Sequence, residues 1–132
     1  MKKRSLVDLN RLSVEEFRSS EKLKVVLVLD DVRSAYNVGS IFRTADAFRI
    51  AGIYLCGISA RPPHKDISKT ALGATETVEW TYSANVINAV AQLKQDGWKI
   101  FAVEQTDESV SLEHFQPGKD EKIALVFGHE VF

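Results

Sequence analysis

Two runs of this chain, Val25–Leu29 and Ile123–Phe127, are apolar at every position. A strand with one wet face alternates apolar and polar residues. An unbroken apolar run belongs to a strand covered on both faces, as in a parallel sheet between helices. Helical patterns separate the two runs, and the chain therefore predicts a doubly wound, mostly parallel α/β sheet. The expected order begins with a helix over Val14–Ser20, with Ser13 as cap and Glu16 closing a capping box. Strand Val25–Leu29, helix Val38–Phe48 and strand Gly52–Cys56 follow. After a loop with Pro62 and Pro63 come a helical turn near Ile67–Leu72 and a short strand near Thr77–Trp80. Ser83 is expected to cap a helix reaching Gln95, with Val86, Val90 and Leu93 on one stripe, ended by Gly97. Strand Lys99–Val103, a turn at Leu112–Phe115 and strand Ile123–Phe127 complete the reading. Residues 1–23 read as a helical extension and 24–132 as one domain.

Length fits a single domain: 132 residues need no metal or disulfide staple. The single cysteine, Cys56, excludes an intrachain disulfide and favours an intracellular, cytoplasmic setting. Its place in a strand-like run reads as a small buried hydrophobe. There is no secretory leader pattern, and no apolar run approaches the roughly 18–20 residues of a membrane span, so no membrane partner is expected. Net charge is -1. Residues 1–50 nevertheless hold ten Lys/Arg against seven Asp/Glu, a local excess of base that suits an anionic partner or ordinary surface variation.

That basic half holds the segment richest in chemistry, Asn37-Val38-Gly39-Ser40-Ile41-Phe42-Arg43-Thr44-Ala45-Asp46-Ala47-Phe48. It follows a predicted buried strand, and α/β proteins bind ligands at strand carboxyl ends. Asn37 and Arg43 there offer a carboxamide and a permanent cation to a phosphate, carboxylate or ribose. Spacing equally allows Asn37 as a plain helix cap and Arg43 paired with Asp46 on a solvated face. At the other end, Gly128-His129-Glu130 closes the last strand. A glycine there lets a ligand approach the backbone, although a turn glycine with a surface acid fits as well. His64, His114 and His129 lack metal-site spacing, so no metal is expected. Neither GxGxxG nor GxxxxGK[ST] occurs.

The run from Val28 to Phe48 resembles the first motif of the SpoU (TrmH) branch of the SPOUT RNA 2'-O-ribose methyltransferases. Ile123 to Glu130 is similar to the start of the second motif, a strand ending in Gly-x-Glu. Lys69-Thr70-Ala71-Leu72-Gly73-Ala74 lies where the family often has small residues. The resemblance spans about Lys24 to Phe132. It implies a SPOUT-type (α/β knot) fold with a deep trefoil knot, S-adenosylmethionine as methyl donor, an RNA substrate and a homodimer. Carried over by position, it makes Asn37, Arg43 and Glu130 the catalytic set, with Gly128 and the strand end Glu104-Gln105-Thr106 at the cofactor. Arg33, Arg49, Arg61 and Lys65 are the RNA-binding candidates, with Lys2, Lys3, Arg4, Arg11 and Arg18 as an additional arm. The third motif, a Ser-Leu-Asn stretch with the threaded helix, has no counterpart. The expectation is that the C-terminal knot segment is missing from this chain, and that the chain alone is inactive. About 24 residues precede the first strand, too few for a separate RNA-binding domain, which favours transfer RNA over ribosomal RNA. Two other readings stand beside this one: a non-catalytic RNA-binding or scaffold domain, and an unrelated small-ligand α/β domain.

Overall fold

The computed structural model of the protein describes residues 14–19, 21–103 and 121–128. Helix α1 spans Val14–Ser19. Strand β1 (Leu23–Asp30) leads into helix α2 (Ala35–Ala47) and strand β2 (Ile50–Cys56). Helices α3 (Lys65–Ala71) and α4 (Ala74–Thr77) precede strand β3 (Trp80–Ser83). Helix α5 (Val86–Gln95), strand β4 (Lys99–Ala102) and strand β5 (Ile123–Gly128) follow. The strands form one five-stranded sheet in the order β3-β2-β1-β5-β4. Every pairing is parallel.

The apolar run of β1 is central and covered on both sides, as expected. Leu27 and Leu29 join Val38, Phe42, Ala45, Ile53, Leu55 and Ile67 in one core. Val26 and Val28 point the other way, onto Cys56, Ala89, Leu93 and Ala124. Helices α2, α3 and α4 thus cover one face and α5 the other. Strand β5 departs from the expectation of full burial. Ile123 and Ala124 are buried, whereas Leu125, Val126 and Phe127 are half-buried.

Boundaries differ where side-chain caps override simple periodicity. Helix α2 begins at Ala35, three residues before the expected Val38, because Ser34 caps it: Ser34 Oγ accepts from the Asn37 amide at 3.2 Å. The expected strand Thr77–Trp80 is displaced. Thr77 ends a helical turn, its hydroxyl facing Asp46 Oδ1 (2.8 Å) and the Ala74 carbonyl (3.1 Å), and β3 starts only at Trp80. The cap of α5 is Asn85, whose Oδ1 accepts from the Ile87 amide at 2.8 Å. Ser83 instead ends β3 and donates to the Asn85 carbonyl. The inward stripe of α5 is Val86, Ala89 and Leu93, with Val90 half-buried beside it. The expected cap Ser13, the turn Leu112–Phe115 and the arm residues Lys2, Lys3, Arg4 and Arg11 lie outside the described residues, as does the Arg18 side chain.

Candidate active site at the strand carboxyl ends

All five strands are parallel, so their carboxyl ends share one edge. From β1 the chain builds outward through β2 to β3. It then crosses to the far edge, β4, and returns to insert β5 beside β1. The order reverses between β1 and β5. A reversal of this kind opens a crevice at the strand ends, where doubly wound sheets bind ligands. Asp30 and Gly128 are register partners there. A β-carbon at Gly128 would sit 3.1 Å from Asp30 Cβ and 3.2 Å from its carbonyl oxygen. Glycine therefore relieves crowding against Asp30 and leaves no side chain over this strand end.

The loops above the crevice are tied together. Asp31, at φ 55°, donates its amide to the Cys56 carbonyl at 3.2 Å, and its Oδ1 accepts from the Ile58 amide at 2.9 Å. Gly57 must be glycine: its φ is +64°, and a β-carbon would collide with Asp31 Oδ1. The buried Ser59 hydroxyl accepts from the Val32 amide (2.8 Å) and donates to the Leu29 carbonyl (3.1 Å). The Ala60 amide then meets the Val32 carbonyl at 3.0 Å. The β1–α2 and β2–α3 loops thus form one rigid rim. Cys56, beneath it, is fully buried. Burial, then the Asp30 and Asp31 carboxylates, push its thiol up from 9.0 to about 11, so it stays protonated and inert near neutrality.

Helix α2 rises from this rim. Its first turn is locked against α3. Thr70 Oγ1 donates to the Tyr36 carbonyl at 2.9 Å, and a β-carbon at Gly39 would collide with Thr70 Oγ1 and the Ile67 carbonyl. Asn37 is half-buried in that turn, and Arg43 is exposed. Six residues separate them, roughly 9 Å along the axis and ~120° around it. Neither of the ordinary explanations for the pair describes this structure. Ser34 is the cap, and Asp46 accepts from Thr77. Among the described residues Arg43 makes no hydrogen bond or ion pair, with Asn37 or with Asp46.

The other candidates divide by position. Arg33, Arg61 and Lys65 are exposed and lie on the rim loops or at the start of α3. Arg49 is at the opposite end of the sheet. Its carbonyl accepts from the Leu23 amide, and it lines a surface depression with Glu21, Lys22, Leu23, Ala47 and Phe48. The structure does not bring it together with the other three. Glu104, Gln105, Thr106 and Glu130 lie outside the described residues. The chain enters that segment from Val103, whose amide donates to the Val126 carbonyl at 2.8 Å, two positions before Gly128. Sequence reasoning missed the rim-builders Asp31 and Ser59 and the helix contact at Gly39. A signal existed only for Gly39, a glycine inside a helical pattern, which often marks close packing. Among the described residues no group of His, Cys, Asp or Glu could hold a metal ion. No helix there is long and apolar enough to cross a membrane.

A parallel sheet whose order reverses between β1 and β5, with helices packed on both faces, defines a doubly wound α/β domain. Residues 24–132 match the model of the SpoU rRNA methylase family, and the chain belongs to that family. It is 28% identical over 117 residues to a protein of Staphylococcus aureus assigned to the TrmH family of tRNA/rRNA methyltransferases, covering 89% of this chain and 46% of that one. It thus spans about half the length of the curated relatives it matches. A TrmH-family structure from Porphyromonas gingivalis, described as an RNA methyltransferase, superposes with a TM-score of 0.68 at 30% identity, over 79% of this chain and 41% of that one. An AdoMet-bound rRNA methyltransferase from Sinorhizobium meliloti has the same fold, with a TM-score of 0.70 at 23% identity, over 83% and 42%.

Proposed function

We propose that the protein containing this chain transfers a methyl group from S-adenosylmethionine to the 2'-oxygen of a ribose in RNA. The observation that carries this reading is the family match across residues 24–132. The switch point between β1 and β5 is compatible with the cofactor in its described part, since the exposed Gly128 ends a strand there and carries no side chain over its backbone. Gly128, with Glu104, Gln105 and Thr106 beyond the end of β4, would hold the donor, whose sulfonium supplies an electrophilic methyl.

The chain's own residues then have to place and activate a hydroxyl. Alignment of attacking oxygen and methyl can supply about 7–11 kcal/mol of the barrier. A guanidinium holds its proton throughout the ordinary pH range and is not the base. Arg43 instead binds the phosphate next to the target ribose and polarises its hydroxyl, and another group or water takes the proton. Glu130 would fix the guanidinium; Asn37, the other residue expected to do so, makes no bond to Arg43 among the described residues. The substrate is transfer RNA in preference to ribosomal RNA, the working form is a homodimer, and the setting is cytoplasmic.

The test is calorimetric titration of the native protein with S-adenosylmethionine, followed by methyl transfer to RNA with Arg43→Lys. Binding heat, and turnover reduced about ten-fold or more by the substitution, are expected. Absence of any binding heat favours a non-catalytic RNA-binding role. Near-normal turnover of Arg43→Lys refutes the fixed guanidinium.

A further inference from the structure

At the ends of β2 and β3, Arg61 and Tyr82 form a stack with no part in the chemistry above. Arg61 Cζ lies 3.8 Å from the centroid of the Tyr82 ring. The ring is anchored: Tyr82 Oη donates to the Gly57 carbonyl at 3.0 Å, and Tyr82 is in register with Leu55 of β2. Among the described residues Arg61 has no ion pair. Two carboxylates of the neighbouring segments are engaged elsewhere, Asp31 with the Ile58 amide and Asp66 with Lys69. Tyr82 remains 39% exposed and Ile58 56% exposed. Arg33 joins the same rim through the bond from the Ala60 amide to the Val32 carbonyl, and Lys65 opens α3 just beyond.

A flat cation laid on an anchored ring, an exposed apolar side chain and two further cations form one patch. Cations alone would serve phosphates. Flat surfaces beside them serve unpaired bases, which stack on aromatic rings and guanidinium planes. We propose that Arg61 and Tyr82 are a stacking platform for an unpaired nucleobase flanking the target ribose, with Arg33 and Lys65 on the adjoining phosphates. This rests on the RNA-substrate reading.

The test uses the native protein with a short single-stranded oligoribonucleotide carrying 2-aminopurine, read by anisotropy and by base fluorescence. Wild type should bind it and quench the fluorophore. Arg61→Lys and Tyr82→Leu should each weaken binding roughly ten-fold, the order of one stacked base. Arg61→Lys keeps its charge, so the slope of log affinity against log salt should not change. Unchanged affinity in Arg61→Lys, no quenching by wild type, or no binding by wild type would each overturn the platform. A parallel titration with S-adenosylmethionine separates the two claims. Cofactor binding with an inert Arg61→Lys sinks the platform alone, whereas a working platform without cofactor binding sinks only the methyl-transfer reading.

Discussion

A guanidinium cannot release its proton near neutrality, so Arg43 can act on a ribose only through charge and directed hydrogen bonds. Its exposed position, with no described partner, leaves those donors available to a substrate. Removing a comparable preorganised donor typically costs about 10²–10³ in rate. Arg43→Ala should show that loss in turnover with S-adenosylmethionine affinity unchanged, and a matching loss of cofactor binding would assign Arg43 to the cofactor instead. Cys56 makes a different kind of residue-scale prediction. Its folded pKa of about 11 lies above its ordinary value of 9.0, so the native state holds the proton more tightly than the unfolded chain does. That stabilisation is complete below about pH 9 and is lost as pH rises through 11. The comparison is with Cys56→Ala, which isolates the contribution of this one thiol. Urea unfolding should show the stability advantage of wild type over Cys56→Ala shrinking by about 2–3 kcal/mol across that window.

At the level of elements, the rim and the α2–α3 contact position the site. Gly39→Ala would push a methyl into Thr70 Oγ1 and the Ile67 carbonyl. Overpacking of this kind costs about 1–3 kcal/mol, and thermal unfolding should register it as a lowered midpoint. Ser59→Ala leaves the Val32 amide without its buried acceptor. The expected loss is again about 1–3 kcal/mol, measured by urea unfolding. The existence of these elements was legible in the sequence, because Val25–Leu29 could be nothing but a doubly covered strand. Their edges were not. Ser34 rather than Asn37 caps α2: its hydroxyl takes the Asn37 amide and starts the helix about one turn earlier. Thr77 carries a β-branched side chain, yet Asp46, distant in sequence, holds it in a helical turn. Such tertiary bonds leave no mark in local propensity. Asn37 and Arg43 drew notice from residue type and from their place after a buried strand, but spacing could not choose between cap, ion pair and ligand contact. The structure removes the first two among the described residues.

For the whole molecule, the decisive property is the strand order. Inserting β5 beside β1 creates the switch point, sets Gly128 against Asp30, and places the end of β4 at the same edge of the sheet. Periodicity gives strands but not their order, and the family resemblance supplied the fold type without the order of the strands. The same strand ends carry the Arg33, Arg61 and Lys65 rim, which gives the proposed RNA a track from phosphate to ribose. The most direct measurement incubates the native protein with RNA and methyl-labelled S-adenosylmethionine, then digests the RNA to nucleosides. The label should appear in 2'-O-methylribonucleosides and vanish with Arg43→Ala. Label on a base, or no transfer by wild type, would contradict the account.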